Sequence, residues 1–133
     1  MKKWLLVAVC LPIAFVGCGQ NTGGREIKKA EYRKISVEEA KKILDEDANA
    51  ILLDVRTEAE FKEIHIPGAT LLPLNEMNDN AAKVLPHKNA VILVYCRSGR
   101  RSRSAANTLI SMGYTNVYDI GGINDWPYET KRG

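Results

Sequence analysis

Residues 90–95 read Ala-Val-Ile-Leu-Val-Tyr, six apolar positions in a row that run directly into Cys96. An unbroken apolar run of this length, without the alternation of a half-exposed strand, describes a strand covered on both faces. Such a strand belongs inside a sheet with further layers above and below it. Whatever else the chain does, it must supply those layers.

The rest of the sequence is written to do so. Ser36 and Glu39 form a capping box, and Val37, Ala40, Ile43 and Leu44 follow at helical spacing, predicting a helix to about Asp45. Ala50 to Val55 is a second apolar run, broken only by Asp54. Thr57 and Glu60 make another capping box and open a short helix through Glu63. Pro67-Gly68 reads as a turn, Thr70 to Leu72 as a brief strand, and Asn75 to Val84 as a helix that stops before Pro86. Beyond Cys96, Ala105, Ala106, Leu109 and Ile110 define one apolar helical face from about Ser102 to Met112, ended by Gly113. Asn116 to Ile120 reads as a strand, Gly121-Gly122 as a turn, and Ile123 to Tyr128 as a last helical piece. Strands alternating with helices predict an α/β sandwich with a mainly parallel central sheet and helices on both faces.

Between the strongest strand and the helix lies Cys96-Arg97-Ser98-Gly99-Arg100-Arg101-Ser102. The arrangement puts a thiol at the carboxyl end of a central strand, where open α/β sheets bind ligands. It also turns the free N–H groups of a loop and a first helical turn towards the sulfur, which favours a thiolate, a persulfide or a bound oxyanion. Gly99 allows the tight path of such a cradle. Arg97, Arg100 and Arg101, with Arg103 beyond them, add positive charge, and no acidic residue lies between Cys96 and Met112. Lowering a thiol pKa by about two units raises its thiolate fraction roughly 25-fold, while intrinsic nucleophilicity falls about eightfold. The net gain is only about threefold. The larger use of such a loop is to hold an anionic substrate and stabilise charge on departing or bound sulfur.

The N-terminus is of another kind. Lys2 and Lys3 precede an apolar stretch from Trp4 to Val16, interrupted by Pro12 and ending Phe15-Val16-Gly17-Cys18. The stretch is too short for a bilayer span, which takes about 20 helical residues, and has the length of the apolar core of an export signal. Its end resembles the lipobox of bacterial lipoproteins, although that pattern usually has Leu where Phe15 stands. The resemblance implies cleavage after residue 17, a lipid on Cys18 and an exported domain anchored to the bacterial cell envelope; an uncleaved signal or plain membrane anchor is the alternative. The expected organisation is a signal over 1–17, a tether over 18–30, one domain over 31–129 and a tail over 130–133.

Without residues 1–17 the chain carries 17 basic and 16 acidic residues, so no charge argument for nucleic acid survives. Cys10 leaves with the signal and Cys18 takes the lipid, so Cys96 alone remains in the domain, with no internal disulfide available. His65 and His87 are distant from it in sequence, and neither a metal nor a cofactor is expected. Cys96 is then either an inert buried thiol or a reactive one, and the arginine-rich loop favours the second.

At this point the residues carry a family resemblance. The loop at 96–102 resembles the active-site loop of single-domain rhodaneses. Asp54-Val55-Arg56, Glu60-Phe61 and His65-Ile66-Pro67-Gly68-Ala69 resemble that family's N-terminal signature, with Ile64 in place of the usual Gly. Gly113-Tyr114, Asn116-Val117-Tyr118 and Gly121-Gly122 to Trp126 resemble its C-terminal one. The resemblance implies a three-layer rhodanese-like sandwich, acting as a monomer, and a sulfurtransferase of the thiosulfate type. Cys96 would be the catalytic nucleophile and Arg97, Ser98, Gly99, Arg100, Arg101 and Ser102 the substrate cradle. A small anionic donor would give sulfur to Cys96, and a thiol, cyanide or protein acceptor would remove it. Asp54 and Arg56 are expected to pair and order the chain beside the loop, Arg101 to brace the loop or touch substrate, and His65 to brace its turn. Two other readings stand beside this one: a persulfide carrier or redox sensor without efficient turnover, and a cysteine phosphatase or arsenate reductase. The latter proteins place an arginine six positions after the cysteine, where this chain has Ser102.

Overall fold

The computed structural model describes residues 30–133, so the predicted signal, the lipobox with Cys18 and the tether before Ala30 lie outside the described residues. The ordered elements run β1 (Arg33–Lys34), α1 (Val37–Glu46), β2 (Ile51–Asp54), α2 (Glu58–Glu63), β3 (Thr70–Leu71), α3 (Met77–Val84), β4 (Val91–Cys96), α4 (Arg100–Ser111) and β5 (Asn116–Gly122). Short 3-10 turns at Leu74–Glu76 and Ile123–Asp125 complete them. Both predicted capping boxes are made: Ser36 and Glu39 close the start of α1, and Thr57 and Glu60 the start of α2.

The strands form one sheet in the order β1-β5-β4-β2-β3, and every pairing between them is parallel. β4 lies at its centre, as its unbroken apolar run requires. Alternate residues of β4 serve opposite layers. Ile92, Val94 and Cys96 pack with Leu53, Met77, Ala81, Ala105, Ala106 and Leu109, which is the side of α3 and α4. Leu93 and Tyr95 pack with Ala40, Leu52, Ile66, Ile120 and Trp126 on the side of α1. The expected α/β sandwich with helices on both faces is therefore the fold.

Several local expectations are corrected. β1 was not foreseen: Arg33 and Lys34 are exposed and carry no apolar signal, and they become a strand only by pairing with Tyr118 and Asp119 of β5. The stretch 75–84 is divided into a 3-10 turn and α3, and only residues 123–125 of the last piece are helical. Helix α4 begins at Arg100 rather than Ser102, so Arg100, Arg101 and Arg103 stand in its first turn, while Arg97 stays in the loop before it. Gly121-Gly122 is no turn but the end of β5. Val94 pairs with Asp119 and Tyr95 with Gly121, leaving Ile120 as the extra residue of a bulge. Gly121 takes the left-handed conformation there, at φ +87°. The residues set apart as a tail double back, with Lys131 exchanging two 2.8 Å backbone hydrogen bonds with His65.

The sheet order also fixes where a ligand goes. From β2 the chain proceeds to β3 on one side, and from β4 it proceeds to β5 on the other. The carboxyl ends of β2 and β4 therefore flank a topological switch point, the crevice in which open α/β sheets bind ligands. β4 ends at Cys96, and β2 ends at Asp54 with Arg56 two residues beyond.

Candidate active site

Cys96 is almost fully buried, on the α4 side of the sheet. Its sulfur accepts a hydrogen bond from the Gly99 N–H at 3.0 Å. Helix α4 has no side-chain cap: its N-cap residue is Gly99, at φ +102°. The N–H groups of a first turn need partners, and the sulfur of Cys96 fills that role. Burial by itself would push the thiol pKa up. The backbone N–H and hydroxyl of Ser102, with the N–H groups of Gly99 and Ser98, outweigh it and hold Cys96 below the ordinary thiol value. The cradle inferred from the loop's composition is thus a set of donors directed at one sulfur atom.

The loop is held at three places. Behind it, Gly122 lies so close that a Cβ there would stand 2.1 Å from the Arg97 carbonyl oxygen, and the Asn124 N–H donates to that oxygen at 3.2 Å. Below it, the buried Ser102 hydroxyl lies 2.7 Å from Asp119 Oδ1 and 3.0 Å from the Gly99 carbonyl. On the flank, Arg101 forms a bidentate pair with Glu60, at 2.7 and 2.8 Å. Arg101 holds the Glu60 carboxyl down to about 2, well below the usual carboxylate range. The guanidinium of Arg101 is therefore committed to α2, which favours bracing over substrate contact. Glu60 and Asp119 are the members of this framework that sequence reasoning missed. Each is 41 or 17 positions from its partner, so no local spacing announces it.

Asp54 and Arg56 pair as expected, entirely inside the protein. Arg56 Nη2 lies 2.7 Å from Asp54 Oδ2 and also donates to the Ile64 carbonyl at 2.6 Å. The Tyr95 hydroxyl donates to the same carboxylate at 2.7 Å and accepts from the Ile66 N–H at 3.1 Å. Burial drives the Tyr95 pKa upward, so the phenol stays a donor. This network joins the end of β2 to β4 and to the His65-Ile66 segment without reaching the sulfur. His65 stacks on Phe61 at 3.8 Å between ring centroids and contacts the Phe61 carbonyl through Nδ1, which makes it a brace of its turn.

Arg97, Ser98 and Arg100 are exposed at the mouth of the loop. Arg97 lines a cleft of about 100 Å³ with Arg56, Glu60, Ile64 and Asn124, over the crevice between β2 and β4. With Arg101 neutralised by Glu60 and Arg56 by Asp54, Arg97 and Arg100 are the loop cations without an ion pair among the described residues. The positive field read from the loop's sequence is real, but tertiary contacts remove part of it.

The comparisons agree with this geometry. Residues 36–128 match the family model described as the Rhodanese-like domain. The chain is 40% identical over 73 residues to the thiosulfate sulfurtransferase PspE of Escherichia coli strain K12, covering 55% of this chain and 70% of that protein. It is 33% identical over 108 residues to the thiosulfate sulfurtransferase GlpE of Pseudomonas savastanoi pv. phaseolicola, covering 77% of this chain and 98% of that one. Of several other curated relatives it spans about half the length or less. Among solved structures, a rhodanese with anions from E. coli superposes with a TM-score of 0.60 at 36% identity, over 63% of this chain and 99% of that chain. The chain belongs to the rhodanese-like family.

Proposed function

We propose that this protein is a sulfurtransferase that carries sulfur as a persulfide on Cys96, taking it from a small anionic donor of the thiosulfate kind. The observation that carries the reading is the sulfur of Cys96 at the uncapped N-terminus of α4, with the Gly99 N–H 3.0 Å away. Donors so placed stabilise negative charge on sulfur, both in the thiolate that attacks and in the persulfide that forms. The Cys96 thiolate bonds to the outer sulfur of thiosulfate, the sulfur–sulfur bond of the donor breaks, and sulfite leaves with its electron pair. The charge formerly on the thiolate then resides on the terminal sulfur of the persulfide. No separate base is required when the thiol is already held low.

The bound oxyanion of a phosphatase is disfavoured on two grounds. Ser102 stands where those enzymes have their arginine, and its hydroxyl is engaged with Asp119 and Gly99. Arg101, one position earlier, is paired with Glu60. We further propose that the domain is exported and held to the cell envelope through a lipid on Cys18, on the sequence pattern at 15–18.

The decisive measurement is the intact mass of the full-length protein before and after exposure to thiosulfate, with Cys96→Ser beside it. A gain of one sulfur atom on the wild type alone, removed by cyanide or a thiol, is the expected result. An unchanged mass, with hydrolysis of an aryl phosphate that depends on Cys96, would overturn the proposal.

A further inference from the structure

Asp119 is 1% exposed, and only one of its carboxylate oxygens is used. Oδ1 accepts from the Ser102 hydroxyl at 2.7 Å and from the Gly121 N–H at 2.9 Å. Oδ2 is buried without a hydrogen-bond partner. The nearest cation, Lys34 Nζ, stands 3.8 Å away on a side chain that is 70% exposed, too far for a hydrogen bond. A buried carboxylate oxygen left in this state is costly unless something donates to it.

Asp119 also lines a cavity of about 390 Å³ on the far side of the Cys96 loop, a size ordinary for small-molecule sites. Lys34 stands opposite it in register on β1, Arg100 and Arg103 stand one turn apart on α4, and Ser98 and Gly99 form the wall shared with the active site. Neither Arg100 nor Arg103 has an ion-pair partner among the described residues.

These groups select a ligand by exclusion. A plain dianion attracted by three cations would meet the Asp119 carboxylate, whose Oδ2 has no hydrogen-bond donor, and be repelled by it. A plain cation drawn to Asp119 would be repelled by Lys34, Arg100 and Arg103. A group with an ammonium beside a carboxylate satisfies both: the ammonium donates to Asp119 Oδ2, and the carboxylate lies among the basic side chains.

The geometry points to a binding pocket for the α-amino-acid head group of a small thiol such as cysteine, seated behind the loop as the acceptor of the Cys96 sulfur. This rests on the persulfide reading above. Gly99 touches both compartments, its N–H on the sulfur and its backbone on the pocket, so a thiol held there has only the crest of the loop to cross. In the transfer the acceptor thiolate bonds to the outer sulfur of the persulfide as the bond to Cys96 breaks. The proton of the incoming thiol passes to that outer sulfur, Cys96 leaves as thiolate with the electron pair, and the acceptor departs as a persulfide carrying the proton it brought.

The test separates pocket from chemistry. Binding of S-methyl-L-cysteine, which cannot accept sulfur, is followed by calorimetry on the full-length protein. The N-acetylated compound, Arg103→Met and Lys34→Met should each weaken it by about tenfold, consistent with the loss of one charge-assisted contact. In turnover, Arg103→Met should raise the KM for cysteine similarly, while leaving the KM for 2-mercaptoethanol and the loading of Cys96 by thiosulfate unchanged. Equal binding of the N-acetylated compound, no binding to a protein that still loads sulfur, or preference for O-phosphoethanolamine would overturn the pocket's assignment. Failure of loading with S-methyl-L-cysteine still bound would instead overturn the persulfide reading.

Discussion

At the residue scale the site is a competition for one proton. The Ser102 hydroxyl has a single hydrogen, and Asp119 Oδ1, the Gly99 carbonyl and the Cys96 thiolate all lie where they can take it. When the sulfur is neutral, the carboxylate at 2.7 Å is the stronger acceptor; when it is charged, the hydroxyl can turn to it. Ser102→Ala removes that option while leaving the Gly99 N–H in place. The midpoint of Cys96 alkylation should then move to higher pH, and the rate near neutral pH should fall about two- to threefold, since a rising pKa costs thiolate faster than it restores nucleophilicity. Iodoacetamide labelling across pH measures this, and an unchanged midpoint would remove Ser102 from the set that stabilises the thiolate. Gly122 presents the opposite kind of dependence, on space rather than charge. An added methyl would stand 2.1 Å from the Arg97 carbonyl oxygen, a backbone atom that no rotamer change can move. Gly122→Ala should therefore cost about 2–3 kcal/mol in denaturant unfolding. Sulfur loading should fall as well, because the loop can yield only by shifting the donors around Cys96.

At the element scale the question is what keeps α2 and α4 in step, since the loop hangs between the strands and the helices. The Glu60–Arg101 pair supplies the link. Glu60 already closes the capping box of α2, so its carboxylate serves the helix start and the active-site flank at once. Its folded-state pKa of about 2 lies below its ordinary 4.5. The stabilisation is thus fully present above about pH 4.5 and is lost as pH falls through about 2. Both side chains remain partly exposed, so a double-mutant cycle of Glu60→Gln with Arg101→Met should give a coupling of only about 1 kcal/mol at pH 7. That coupling should shrink as pH falls through about 2 and be lost only below it, and one constant across this range would deny the ionic link. Glu60 also shows where sequence reading stops. Its capping role was legible because Thr57 stands three residues before it, whereas its pairing with Arg101 depends on how two helices dock. The same divide runs through the chain. The apolar runs at 50–55 and 90–95 announced β2 and β4, and the pattern from Ala105 to Ile110 announced α4. Strand β1 carried no such pattern because its two residues face solvent. Gly121-Gly122 matched a turn in composition, while its real use is to let the backbone of the Cys96 loop approach β5.

For the whole molecule, parallel strands give the sheet two unlike ends, and the protein uses them differently. The carboxyl end holds Cys96, the end of β2 with Asp54, and the first turn of α4. The described chain begins at the other end: Ala30 and Glu31 share a surface cavity with Ile110 and Ser111, at the far terminus of α4. Twelve helical residues span about 18 Å, so the chain enters the domain roughly that far from the loop it serves. If Cys18 carries a lipid, as proposed, the lipid-bearing segment joins the domain at the end opposite the arginine-lined mouth of the loop, which leaves that mouth free to face away from the membrane. The orientation matters because an anionic surface repels a dianionic donor within a Debye length of roughly 8 Å at physiological salt. A loop facing the lipid would lose donor wherever the bilayer is anionic, whereas a loop at the far end of the domain should not. The lipidated protein in detergent, in neutral vesicles and in vesicles rich in phosphatidylglycerol should accordingly load sulfur from thiosulfate at rates within about twofold of one another at that ionic strength. A clear fall on the anionic vesicles, relieved by added salt, would place the loop against the membrane and reverse the orientation argued here.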